Sequence, residues 1–135
     1  MDVFRALFPV EDRTFPGRRW ANITFRTLHL IGVSGLGSGF LYGVSEDLWL
    51  PFWQLSAASG LALILLDLWT SAIWLIQLRG LAILLKIILL VCIPVSNENG
   101  IILLVAIIVI SSVVAHAPGD VRYYSIFHRR RVEEL

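Results

Sequence analysis

Four apolar runs joined by short polar turns limit this chain to very few folds. They occupy about residues 24–43, 50–76, 81–95 and 101–116. A helix needs about 20 apolar residues to cross the hydrocarbon core. The first two runs meet that length, and the second exceeds it, which implies tilt or protrusion. The last two are shorter and reach through Pro94 or past Ala115, or the bilayer thins around them; a re-entrant hairpin is the alternative. The polar turn Ser96-Asn97-Glu98-Asn99-Gly100 between them favours water, so two separate spans are expected. Pro118 and Gly119 stop the last one.

Composition agrees with that class. Of the 135 residues, 57% are hydrophobic and 16% charged, with mean hydropathy +0.78, whereas a soluble domain carries about 25% charged residues. The expectation is an all-α integral membrane protein, a single four-transmembrane-helix bundle. Residues 1–23 form a cytoplasmic or interfacial segment without an apolar core of signal-peptide type. Within it, residues 1–8 suit a short amphipathic anchor with Phe4, Leu7 and Phe8 on its apolar side. Residues 117–135 form a basic cytoplasmic tail. The single cysteine, Cys92, excludes an intramolecular disulfide and any multi-cysteine metal site.

Arginine sets the orientation. Arg5, Arg13, Arg18, Arg19 and Arg26 precede or open the first span, Arg79 lies in the second turn, and Arg122, Arg129, Arg130 and Arg131 follow the fourth. The other two turns carry only Glu46, Asp47 and Glu98. The positive-inside rule then puts both termini in the cytoplasm (N-in/C-in). Trp20 and Trp74 fit the inner aromatic belt, Trp49 and Trp53 the outer. A bacterial inner membrane is the simplest host for such a protein. The arginines have a sufficient explanation in topology, so no nucleic acid partner is implied.

Polar groups at membrane depth are costly and usually functional. Asp67 lies ten residues before Gln77 and Lys86 nine after it, which on antiparallel helices gives nearly equal depths. A buried Asp67–Lys86 ion pair is expected, either as a proton-relay or ligand-coordinating pair or as an interhelical clamp. The first span holds Gly32, Ser34, Gly35, Gly37, Ser38, Gly39 and Gly43. Gly35, Gly39 and Gly43 form a small-xxx-small ladder, and His29, Gly32, Gly39 and Gly43 fall on one stripe. Such a face serves close helix packing, or clears space for a flat group beside His29.

His29 and His116 both lie towards the arginine-rich side. Neutral imidazoles bind haem iron, copper or zinc, so these two are candidate metal ligands, as axial ligands of haem or as copper ligands; haem b is the leading cofactor candidate. Histidines in such places also cap helices, bond carbonyls or meet lipid headgroups. His116, Asp120, Arg122, Tyr123, Tyr124 and His128 cluster beside the membrane. Arg122 is a candidate for pairing a propionate, a quinone or an anionic headgroup; the competing reading is a basic tail drawn to anionic lipid.

The run Arg26-Thr27-Leu28-His29-Leu30, followed by a glycine-rich helix, resembles the first span of the copper-resistance D type and related haem-associated membrane families. The resemblance covers about twenty residues. It implies a helical bundle with a metal or haem near the inner end of that helix, and carries over Arg26 and His29.

No phosphate loop, HExxH, GxSxG, paired intramembrane carboxylates or inverted repeat is present, and no residue set specifies an enzyme. Three functions fit: a non-catalytic accessory or assembly subunit of a larger membrane complex, a b-type haem- or quinone-binding electron-transfer subunit, or an oligomeric small transporter component using Asp67 and Lys86. Each needs the lipid bilayer and a membrane-protein partner or a second copy of itself.

Overall fold

The structure, a computed structural model, describes residues 7–9, 12–96 and 98–132. Four long helices follow one another: α1 (Arg18–Leu41), α2 (Glu46–Thr70), α3 (Leu78–Cys92) and α4 (Gly100–His116). A single turn, α5 (Gly119–Arg122), leads into a two-stranded hairpin of β1 (Tyr124–Ser125) and β2 (Arg130–Arg131). Among the described residues the fold is all-α apart from that hairpin. The anchor expected over residues 1–8 falls mostly outside the described residues.

Local chemistry explains the helix ends. Gly17, at φ +88, turns the chain into α1 with nothing crowding its Cα, so conformation rather than space requires glycine there. Gly43, at φ +60, ends α1, and Val44 N–H donates to Gly39 C=O, the bond of a Schellman cap. Gly43 therefore belongs to the turn and leaves the stripe expected for it. Glu46 and Asp47 occupy the first turn of α2, where negative charge suits the helix dipole.

The second apolar run departs from expectation. α2 stops at Thr70, and Ala72–Ile76 forms a separate 3-10 turn. Thr70 Oγ1 donates back to Leu66 C=O, and Ser71 Oγ accepts from Ile73 N–H; hydroxyls that compete for backbone partners in this way favour a break. α3 starts three residues earlier than expected, and Gly80 is buried in its first turn. A Cβ there would collide with the carbonyl of Trp74 and the backbone of Leu75.

α1 and α2 pack closely and antiparallel. Gly32 meets the backbone at Phe52 and Ser56, Gly35 meets the Phe52 ring, and Gly39 meets Trp49. α3 and α4 form a second antiparallel pair. The pairs join where Leu36, Trp49, Ile93 and Leu104 are buried together, with Phe40 and Trp49 rings 5.2 Å apart. Trp53 Nε1 donates to Leu90 C=O at 2.9 Å. Pro94 has no N–H to give that carbonyl, so the indole and Ile93 N–H serve it instead.

This join lies at the end bearing the 43–45 and 96–99 turns. At the other end α2 and α3 touch only sparsely, separated by the 3-10 turn. The molecule exposes 9091 Å², against about 7,100 Å² for a compact protein of this mass. Two helical segments, Glu46–Thr70 and Leu78–Val95, are long and apolar enough to cross a membrane; α4 is apolar but 17 residues long.

Candidate functional site

The opening between the pairs forms a pocket of about 510 Å³ at the arginine-rich end. Its walls come from six parts of the chain, among them the segment before α1, which contributes Asp12. α1 contributes Arg18, the end of α2 contributes Asp67, the 3-10 turn contributes Trp74, and the start of α3 contributes Arg79. The C-terminal hairpin closes the rim with Tyr123 and Arg131.

Gln77 holds that hairpin in place. Its side chain is 1% exposed; Nε2 donates to Val132 C=O at 2.6 Å, and Oε1 accepts from Arg79 Nε at 2.5 Å. Val132 N–H in turn donates to Tyr123 C=O. The segment expected as a basic cytoplasmic tail is thus tied to the helices as far as Val132. The segment before α1 is tied in as well, since Arg13 N–H donates to Thr70 C=O and its guanidinium lies 5.5 Å from the Trp69 ring.

Arginine converges on Tyr123. The guanidinium carbons of Arg79, Arg122 and Arg131 lie 5.3, 4.7 and 5.5 Å from its ring centre. Each contact is a cation–π attraction, but three like charges around one ring repel each other. Arg131 is paired with Asp120 at 2.9 Å, an exposed bridge worth little. Arg122 donates to Tyr123 Oη and to Ala115 C=O.

The expected Asp67–Lys86 pair does not form. Among the described residues the ion pair within 4 Å is Arg131–Asp120, and neither Asp67 nor Lys86 takes part in one. The turn explains why. Asp67 is three residues from the end of α2, whereas Lys86 is eight beyond the start of α3. At about 1.5 Å per residue they sit about 4.5 and 12 Å from their helix ends. The 3-10 turn has shifted the hairpin off its presumed centre at Gln77.

The histidines stand apart. His29 packs against α2, with Nδ1 2.9 Å from Ser56 C=O and 3.4 Å from Ser59 Oγ, and with its ring against Gly60. His116 is exposed on α4, its Nδ1 2.9 Å from Ser112 C=O. A carbonyl only accepts, so in each neutral ring Nδ1 carries the hydrogen and Nε2 the lone pair. Neither histidine lines the pocket, and α1 meets α4 away from both of them, through Gly37–Leu104 and Phe40–Gly100. The glycine face beside His29 is filled by α2. No group of three or more His, Cys, Asp or Glu suited to a metal occurs among the described residues. Arg26, carried over with His29, bonds Asn22 on its own helix.

Ser56, Ser59 and Gly60, which receive His29, and Trp74 and Gln77, which build the pocket, were not singled out from sequence as site residues. Two hydroxyls and a glycine spaced along one helix face were the available signal for the first group. No protein-family profile, curated protein or solved structure matches this chain.

Proposed function

We propose that the chain is a four-span integral membrane protein of the bacterial inner membrane, with both termini cytoplasmic, acting as a non-catalytic accessory or assembly subunit of a larger membrane complex. One observation carries this reading: the long helices turn their apolar side chains outward. Among the described residues seven hydrophobic side chains are buried, and thirty large ones are exposed. In the two segments long and apolar enough to cross a membrane, only 17% and 11% of the most apolar 18-residue stretch is buried. The core helix of a soluble protein has the reverse character, and a water-facing surface of this kind aggregates. Lipid and a membrane partner are the environments that fit it. α1 and α4 serve as the other two spans, with the glycine face of α1 spent on packing within the chain.

The test is native gel electrophoresis of mildly solubilised membranes carrying a tagged chain. The reading expects a band far above that of a 15.2 kDa protomer, with a second, differently tagged copy absent from it. A monomer band contradicts the reading, and co-migration of both tags makes the assembly a homo-oligomer.

A b-type haem- or quinone-binding subunit is the second reading, favoured by the carbonyl bonds that leave Nε2 of both His29 and His116 available, the usual state of a ligating imidazole. Arg122 would then serve a propionate. A Soret band, sharpened on dithionite reduction and lost in His29→Ala, supports it; a colourless protein from haem-supplemented cells counts against haem.

A further inference from the structure

Three buried side-chain polar atoms have no partner among the described residues: Arg18 Nε, Trp74 Nε1 and Arg122 Nε. All three are N–H donors, so what this region lacks is an acceptor. Leaving a buried donor unmatched is costly, and native proteins leave few. Two of these residues line one pocket, and the third is stacked on Tyr123 in its wall. Trp74 is 5% exposed, and an indole has no other hydrogen-bonding capacity.

We propose that this pocket binds a phosphate oxyanion, held by Arg18 and Arg79 with Trp74 Nε1–H as a neutral donor. Among the described residues Arg18 and Arg79 line the pocket together with Asp12 and Asp67, and Arg122 stacks on Tyr123 in its wall. Guanidinium forks match phosphate oxygens, and the position at the arginine-rich end is where a cytoplasmic-leaflet headgroup or a cytosolic phosphate arrives. A volume of about 510 Å³ admits a headgroup as well as the free ion. Asp67 is the internal rival for the same donors. The site does not depend on whether the chain acts as an accessory subunit.

The experiment is thermal unfolding of the full-length protein in maltoside micelles at constant ionic strength, since a ligand that binds only the folded state raises Tm. One arm adds inorganic phosphate against chloride. The other adds short-chain phosphatidylglycerol against phosphatidylcholine. A rise with phosphatidylglycerol alone identifies a lipid headgroup, and a rise with inorganic phosphate identifies a free phosphate. Arg79→Gln should weaken binding about tenfold or more, the loss of one charge-assisted bond. Trp74→Phe keeps the ring, removes the N–H and should weaken it about fivefold. Arg129→Gln, outside the pocket, should leave it unchanged, and Asp67→Asn should tighten it. The proposal is overturned if neither probe raises Tm above its control, if Arg129→Gln weakens binding as much as Trp74→Phe, or if Asp67→Asn abolishes it.

Discussion

Gly32→Ala is the most informative single substitution in α1. A Cβ at Gly32 would lie 2.6 Å from Ser56 N and 2.9 Å from Phe52 O and Ser56 Cα. These are backbone atoms of α2, so no rotamer change relieves them. Ordinary contact begins at 3.4 Å, and α1 and α2 must therefore separate by about 0.8 Å over their tightest stretch. Overpacking of this sort costs about 1–3 kcal/mol, against which alanine recovers up to ~1 kcal/mol of helix propensity. The expected net loss is about 1–2 kcal/mol, a ~5- to 30-fold fall in the folded-to-unfolded ratio. Gly37→Ala is the internal control, since its Cβ would meet only Leu104 Cδ2 at an ordinary 3.5 Å; it should be neutral or slightly stabilising. Reversible unfolding in mixed micelles, followed by circular dichroism, measures both. Equal stability of the two variants would refute the claim that the glycine face exists to admit α2.

Other substitutions probe separate contacts. Trp53→Phe removes the indole donor to Leu90 C=O and should cost about 1 kcal/mol in the same unfolding assay; no change would mean the carbonyl is satisfied without it. Gln77→Leu removes the side-chain bond to Val132 C=O that tethers the C-terminal hairpin, so trypsin should cut at Arg129–Arg131 faster in this variant, and an unchanged cleavage rate would argue against the docked tail. His29→Ala should destabilise the protein by about 1–2 kcal/mol through the lost bond to Ser56 C=O, whether or not a cofactor is bound. Lys86→Met and Asp67→Asn should give additive effects on stability, as expected of residues that do not touch; coupling above ~0.5 kcal/mol would restore the ion pair.

How far the sequence carried the structure depended on the range of the interactions. The start of α4, one residue from its expected position, follows from a local turn signal and a long apolar run. The end of α1, at Leu41 against an expected 43, was legible in the length of the run, whereas Gly43 was expected on the packing stripe and is instead the stop. The break at Thr70–Ser71 was not, because apolar residues continue through Ile76 and only the hydroxyls mark it. That break in turn undid the Asp67–Lys86 pairing, which rested on counting from Gln77. The small residues of α1 announced a close contact, yet two helices and a flat ligand leave the same trace in a single span. The pocket was the least legible feature. Arg18, Trp74, Arg79 and Tyr123 come from four elements, and their meeting depends on Gln77 bonding Val132 across more than fifty residues. The arginines were fully accounted for by topology, which concealed their convergence.

The four-span, N-in/C-in arrangement can be tested directly by labelling single cysteines with a membrane-impermeant maleimide in intact cells. In a Cys92→Ser background, Glu98→Cys samples the turn between α3 and α4, and His128→Cys samples the C-terminal hairpin; both positions are exposed. The account predicts that Glu98→Cys reacts from outside, while His128→Cys reacts only after the membrane is permeabilised. Equal reactivity of the two positions before permeabilisation would contradict it, since α4 would then not cross the bilayer.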